Sequence, residues 1–283
     1  MKHSRLLLLI PTLLLTGCGD MEHIGNKVNQ TKADSIYEDI QFNYDKEECF
    51  VADFTREAVT GKGDTKLTEK LRYKSKSDGK NLYINMRKTN SSESIRDNNH
   101  IEYYIFQDKT YGTVIYVRDE DLITKKVDEM AVPYGGGYYS NTTYSTNLQY
   151  DTYLQYALNT SFIRDQIRSY LDYEPDDDET EETKSQFYST GKGNLTLKLT
   201  YNLKKTALAS ASDYETVKKG EATLTIDNYR SSKLEYETTS TFGNKETWNL
   251  TYTYPKAVKI EPPEGWETHL QTYSYQYGVS SYN

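Results

Sequence analysis

After residue 60 the chain alternates apolar and polar residues one by one, and this period of two constrains its fold more than any other feature. Leu195, Leu197, Leu199 and Tyr201 fall on one side of a run whose other side is Thr196, Lys198 and Thr200. Successive side chains of a strand point to opposite faces, so the pattern writes a strand with one dry and one wet face. Ala222, Leu224 and Ile226 repeat it against Thr223 and Thr225, as do Trp248, Leu250, Tyr252 and Tyr254 against Thr247, Asn249, Thr251 and Thr253. The first half does likewise with Leu67, Leu71 and Tyr73, with Leu82, Ile84 and Met86, and with Ile101, Tyr103 and Ile105. A parallel sheet covered on both sides would show continuous apolar runs, so the alternation predicts an antiparallel sheet with one solvated face. Ser77-Asp78-Gly79, Asp227-Asn228 and Gly243-Asn244 supply turns between runs. The aromatic content agrees: 28 Tyr against 7 Phe and 2 Trp favours pleated, half-buried surface, where a ring packs while its hydroxyl reaches water.

A dry face needs a cover. In LQYDTYLQYALNTSFIRDQIRSYL, residues 148–171, the side chains Leu154, Leu158, Phe162, Ile163, Ile167 and Leu171 recur at helical spacing. Asn159-Thr160-Ser161 divides the stretch into two helices, with Thr160 or Ser161 capping the second. A weaker helical piece is expected over 31–40, where Ile36 and Ile40 sit four apart. The expected class is therefore α+β and β-dominated: a strongly curved antiparallel sheet whose apolar face is closed over one to three helices, with two similar halves. The globular domain is placed at 35–268, with halves at 35–134 and 141–268 joined by YGGGYYS at 134–140, and a Tyr-rich tail at 269–283. EPDDDETEE, 174–182, carries seven acids and no apolar residue, which makes it a solvated loop. It lacks the glycine turn and spaced ligands of a calcium loop.

The suggestion of two halves comes from TGKGD at 60–64, which returns as TGKGN at 190–194. A phosphate loop needs Ser or Thr after Gly-Lys to hold magnesium, and here Lys62 and Lys192 are each followed by Gly. Glycine near the start of a strand marks a bend or bulge, so each TGKG is expected to open the first strand of a helix-then-strands unit.

The chain opens MKHSRLLLLIPTLLLTGCGD, with Lys2 and Arg5 before an apolar run from Leu6 to Leu15 and the small pair Thr16-Gly17 before Cys18. This is the anatomy of an export signal over 1–17, too short for the roughly 20 residues of a membrane span. Leu15-Thr16-Gly17-Cys18 resembles the lipobox of bacterial lipoproteins. The resemblance implies that Cys18 is acylated with two chains (palmitate or similar), enough for a stable anchor on the outer face of the cytoplasmic membrane, or in the outer membrane of a two-membrane cell. Residues 18–34 are then the polar tether. Loss of 1–17 removes two bases and no acid, taking the formal charge from −8 to −10, a poor match for nucleic acid. With Cys18 acylated, Cys49 alone remains, so an intramolecular disulfide is excluded and stability must come from the core.

No motif announces chemistry. His23, His100 and His269 are far apart with no metal-ligand spacing, no Gly-x-Ser-x-Gly elbow is present, and the acids favour no particular pair. No catalytic residue, metal or cofactor is expected. The order from Lys219 to Gly265, KGEATLTIDNYRSSKLEYETTSTFGNKETWNLTYTYPKAVKIEPPEG, resembles the closing strands of LolA-like and related lipoprotein folds. That resemblance implies a β half-barrel closed over helices around an apolar cavity for lipid or acyl chains. The expected lining is Leu154, Leu158, Ile163 and Ile167 from the helices, facing Leu197, Leu224, Trp248 and Leu250 from the sheet. The expected function is a membrane-anchored, non-catalytic extracytoplasmic lipoprotein that binds or carries such a ligand. Two alternatives stand beside it: a surface protein whose wet-face Tyr and Thr contact polysaccharide or a protein partner, and a hydrolase with no recognisable motif.

Overall fold

The computed structural model describes residues 25–44, 49–61, 63–92, 98–133, 152–172, 181–204 and 215–270. In chain order the elements are β1 (Asn26–Val28), α1 (Gln30–Asn43), β2 (Cys49–Thr60), β3 (Leu67–Asp78), β4 (Leu82–Asn90), β5 (Asn99–Asp108), β6 (Gly112–Asp121) and β7 (Val127–Pro133). Then come α2 (Thr152–Leu158), α3 (Phe162–Leu171), β8 (Glu181–Gly191), β9 (Asn194–Leu203), β10 (Val217–Asp227), β11 (Arg230–Ser240) and β12 (Lys245–Thr253). A helical turn at 266–270 follows.

All twelve strands form one curved antiparallel sheet in the order β1-β8-β9-β10-β11-β12-β2-β3-β4-β5-β6-β7, and the order is linear, so the sheet does not close. The class is the one that the alternation predicts. Two meanders, β2–β7 and β8–β12, meet where β12 pairs with β2 from Lys245↔Val59 to Thr253↔Val51.

Register converts the alternation into a layer. Val28, Phe187, Leu197, Leu224 and Leu234 lie directly opposite one another from β1 to β11. Leu250, Phe54, Tyr73, Met86 and Ile101 carry the row on to β5. One apolar row thus crosses ten strands on the inner face. A one-residue slip anywhere would send that strand's share to the solvent, so this row is what fixes the register.

The helices lie on this face. Ala33, Ile36, Tyr37 and Ile40 of α1 are buried at the spacing i, i+3, i+4, i+7. The helix starts at Asn29, whose side chain accepts a hydrogen bond from the Lys32 N–H at 2.9 Å. Although α1 precedes β2, it packs on β8 and β9; α2, which precedes β8, packs on β2 and β3, and α3 packs on β10 and β11. Each meander is therefore roofed in part by a helix from the other half of the chain. The largest core cluster is continuous from Phe50 and Tyr73 to Leu195 and Ile226.

Three expectations need correction. The polar stretch 18–34 is not all tether, because 26–28 and 30–34 belong to β1 and α1: Val28 pairs opposite Phe187 and Ala33 is fully buried. The TGKG letters do not open the first strand of each half; they form the turn between its first two strands, β2–β3 and β8–β9. Gly61, Gly63, Gly191 and Gly193 all have positive φ there, from 55° to 142°, a region open chiefly to glycine. A Cβ on Gly193 would come within 2.8 Å of the Tyr229 ring. Leu67 is 39% exposed, because it stands at the extreme start of β3 opposite Thr60, at the end of the ladder. The leader with Cys18, the joint at 134–140, residues 174–180 of the acidic loop and the tail from 271 lie outside the described residues; Glu181 and Glu182 begin β8.

Candidate functional site

All eight expected lining residues come together in the main core cluster. Leu154, Ile163, Ile167, Leu197, Leu224 and Leu250 are each no more than 2% exposed, while Leu158 and Trp248 are partly buried against them. The two helices do separate at 159–161. Ser161 occupies the cap position of α3, but its hydroxyl, with one proton to give, faces Asp165 Oδ2 at 2.5 Å and Asn159 Oδ1 at 2.9 Å instead of capping the backbone.

A helix of seven residues is marginal alone and leaves its last carbonyls without partners. In α2 the sheet supplies those partners. The Tyr252 hydroxyl contacts the Tyr156 carbonyl in a short hydrogen bond and the Asn159 carbonyl at 3.0 Å, and Ser75 Oγ donates to the Ala157 carbonyl at 3.2 Å. Tyr252 and Ser75 are themselves buried. Burial pushes the Tyr252 phenol well above the usual range, aided by the nearby Tyr254 and Tyr44 rings, so at ordinary pH it is a donor. Above α2, Trp248 sits in an aromatic nest with Tyr236 at 4.6 Å, Tyr153 at 5.5 Å and Tyr156 at 5.7 Å between ring centroids.

At this end the inner face turns polar. Arg56, whose neighbours on β12 and β3 are Trp248 and Leu71, points into the layer with its side chain 15% exposed. Its Nε donates to Glu246 in a short contact and its Nη1 donates to Glu69 Oε1 at 2.5 Å. Lys88 lies 3.4 Å from Glu69, and Glu246 Oε1 also accepts from Trp248 Nε1 at 2.9 Å and Tyr153 OH at 3.4 Å. The guanidinium stacks 4.8 Å above the Tyr153 ring. Two cations and two carboxylates balance. Burial pulls the Arg56 pKa down, but the Glu246 and Glu69 carboxylates more than offset it and hold the group above its usual value.

A second polar constellation lies on the outer face of β4–β7, and no local spacing in the sequence pointed to it. Register brings Asn85, Glu102, Arg118 and Glu129 into one cross-strand row, with Arg87, His100 and Glu120 in the next. Arg118 stands 3.6 Å from each of Glu102, Glu120 and Glu129. Asn85 Nδ2 lies 2.7 Å from His100 Nε2, and His100 Nδ1 lies 3.6 Å from Glu120. His269, from the turn at 266–270, reaches Glu129 at 3.2 Å. Tyr83 donates to Glu102 at 2.6 Å; burial first, then that carboxylate, raises its pKa well above the usual range. Trp266 packs edge-on against Phe106 at 5.0 Å, so the turn seals a small satellite core over this patch. Among the described residues, no group of three or more His, Cys, Asp or Glu is arranged to hold a metal, and no helix is long and apolar enough to cross a membrane.

No family model matches the chain, and no curated protein matches it. Solved structures similar to it include a DUF1329 family protein from Desulfovibrio piger, 9% identical over 80% of this chain and 95% of that one, with a TM-score of 0.24. A domain from Vibrio parahaemolyticus described as an outer membrane lipoprotein-sorting protein is 10% identical over 82% and 95%, at 0.24. A LolA superfamily protein from Nitrosomonas europaea is 10% identical over 81% and 94%, with a TM-score of 0.25.

Proposed function

We propose that this chain is a lipid-anchored extracytoplasmic protein that acts without chemistry and holds an apolar or acylated ligand between its sheet and its helices. The observation that carries this reading is the joining of a ten-strand apolar row to a charge-balanced lip at Arg56, Glu69, Lys88 and Glu246. An acyl chain would lie along the row after α2 lifts, and its headgroup would meet the lip. The short helix that covers this end is tied down by three hydroxyl-to-carbonyl bonds and by the burial of Leu154 and Ala157, so an acyl chain entering there would have to replace the apolar contacts that the helix gives up. Leu15-Thr16-Gly17-Cys18 supplies the anchor. With Cys18 grafted to the membrane and Asn26 already in the sheet, the tether of eight steps extends at most ~29 Å, which keeps the body close to the headgroups.

Trp248 provides the test. In a soluble chain of residues 19–283 carrying Trp266→Phe, Trp248 is the lone tryptophan. A brominated fatty acid should quench its emission in a saturable way, and native mass spectrometry of protein taken from its own membranes should show a bound acylated species. Absence of both defeats the ligand assignment. Cys18→Ala should abolish incorporation of labelled fatty acid; label on that variant defeats the anchor.

A further inference from the structure

The outer face of the sheet carries a second surface with its own geometry. A cavity of about 370 Å³ over β12, β2, β3 and β4 shares Thr247 and Asn249 with one of about 280 Å³ over β10–β12. The latter shares Glu221 and Glu237 with a third, of about 260 Å³, over β8–β11. The third lies beyond the row of Glu221 and Glu237, against Lys219 and Thr239, whereas the first two lie in line as one trough perpendicular to the strands from β10 to β4. Its walls are cross-strand rows: Glu221, Glu237, Thr247, Glu57 and Lys70 on one side, and Thr223, Glu235, Asn249, Thr55 and Arg72 on the other. Short Thr and Asn side chains at the centre leave the space between the rows open. The turn at 266–270 covers the outer face only around Phe106, Tyr116 and Ala131, away from the trough.

The wall chemistry selects the occupant. Glu221, Glu235 and Glu237 stand toward one end, Lys70, Arg72 and Arg87 toward the other. Much of this charge is already neutralised within the wall: Lys70 lies 3.0 Å from Glu57, Lys233 lies 3.2 Å from Glu235, and Arg72 is paired with Asp53. A polyanion would meet the glutamates and a polycation the bases, whereas a chain of uncharged hydroxyls finds a donor or an acceptor on every strand. The rungs repeat at the strand spacing, about 4.7–4.9 Å, close to the repeat of an extended β-1,4-linked pyranose chain. From β10 to β4 there are five such steps, a length of about 24 Å. We infer that this trough binds an extended, uncharged polysaccharide laid across the strands, one sugar to about one strand.

Isothermal calorimetry on the soluble chain tests this with two probes, the hexamers of β-1,4-linked glucose and of β-1,4-linked N-acetylglucosamine, and heparin hexamer as the charged control. At least one neutral hexamer should bind, its dimer should bind far more weakly, and added salt should change the affinity little. Asn249→Trp and Thr55→Trp fill the middle of the trough from exposed or half-exposed strand positions, and each should weaken binding at least tenfold (about 1.4 kcal/mol) while the melting temperature holds. If one variant fails to fold, the other still decides. The inference is overturned if neither neutral hexamer binds at millimolar concentration, if the folded variants bind as well as the parent, or if heparin binds more tightly. Quenching of Trp248 by acyl chains reports the opposite face, so either result stands without the other.

Discussion

Replacing Tyr252 by Phe removes one oxygen and nothing else from the core, and the structure says what that oxygen does. Its hydroxyl serves the carbonyls of Tyr156 and Asn159 at the end of α2, a helix too short to hold itself. The ring stays packed against Phe50, at 6.3 Å between centroids, so little apolar burial is lost. The cost is then that of leaving the Tyr156 carbonyl without a donor, since the Asn159 carbonyl keeps the Phe162 N–H at 3.0 Å, where Tyr252 itself is 4% exposed, about 1–3 kcal/mol. For a domain of this size 1 kcal/mol moves the midpoint by about 2–4 °C, so a central loss of 2 kcal/mol predicts a fall of about 4–8 °C. Ser75→Ala removes the donor to the Ala157 carbonyl and should cost about 1 kcal/mol. Because both bonds hold the same helix, the double variant should lose less than the sum, since once α2 has lifted the second bond is no longer there to break. Urea and thermal unfolding of the four proteins give the cycle, and hydrogen exchange over 152–158 should rise in each variant. Additive losses, or a Tyr252→Phe protein within 0.5 kcal/mol of the parent, a change typical of a surface site, would refute the docking argument.

Arg56→Met should destabilise by about 2–4 kcal/mol by leaving Glu69 and Glu246 unpaired at a part-buried site, and adding Glu246→Gln should recover part of it; chemical unfolding measures both. Gly63→Ala at φ 55°, where a Cβ meets nothing within 4 Å, should cost only the left-handed backbone, roughly 1–2 kcal/mol, whereas Gly193→Ala at φ 74° also forces a Cβ against Tyr229 and should cost more; equal losses would exclude the steric part. Tyr83, Tyr116 and Tyr252 all have raised phenol pKa values, burial being the main cause. Their contribution is therefore complete below the unfolded pKa near 10 and is lost as pH rises through the higher folded values. Stability should be flat through neutrality and fall above about pH 10, with the 295 nm phenolate signal of these residues appearing only as the chain unfolds. A normal titration of every tyrosine in folded protein would contradict their burial.

The strands were legible because a half-buried antiparallel sheet repeats one chemical decision at every second residue. Leu195, Leu197 and Leu199 needed only their immediate neighbours to declare a face, and the register confirms each of them as buried. The break at 159–161 was legible for a similar reason, since Asn and Ser compete locally with the helix backbone. What failed first was a segment whose apolar partner lies far along the chain. Residues 26–34 read as polar tether because Val28 is stranded among polar residues and meets its apolar neighbour only at Phe187, about 160 positions later. The placement of TGKG failed by a single element, because glycines needing positive φ serve a strand opening and a hairpin turn equally well.

The two polar clusters show the same limit from the side of function. His100, Arg118 and Glu129 have unremarkable local sequence, and only the pairing of β5, β6 and β7 sets them in adjacent rungs. Arg56 carries a local signal in hindsight: in the alternation Phe54, Arg56, Ala58 it occupies an inner-face position, where a lone charge has to find partners or not be there. The partners, Glu69 and Glu246, break the apolar pattern of their own strands at inward positions in the same way. Three charged residues written out of phase on three neighbouring strands are costly to a simple packed core, since an apolar set of similar volume would serve stability as well or better. Their presence at the one end of the layer that α2 and the Trp248 nest cover is the reason to place the headgroup of a ligand there, and Arg56→Met separates the two roles: a merely structural network would lose stability, whereas a headgroup site would also lose acyl-ligand quenching of Trp248 under conditions where the variant remains folded.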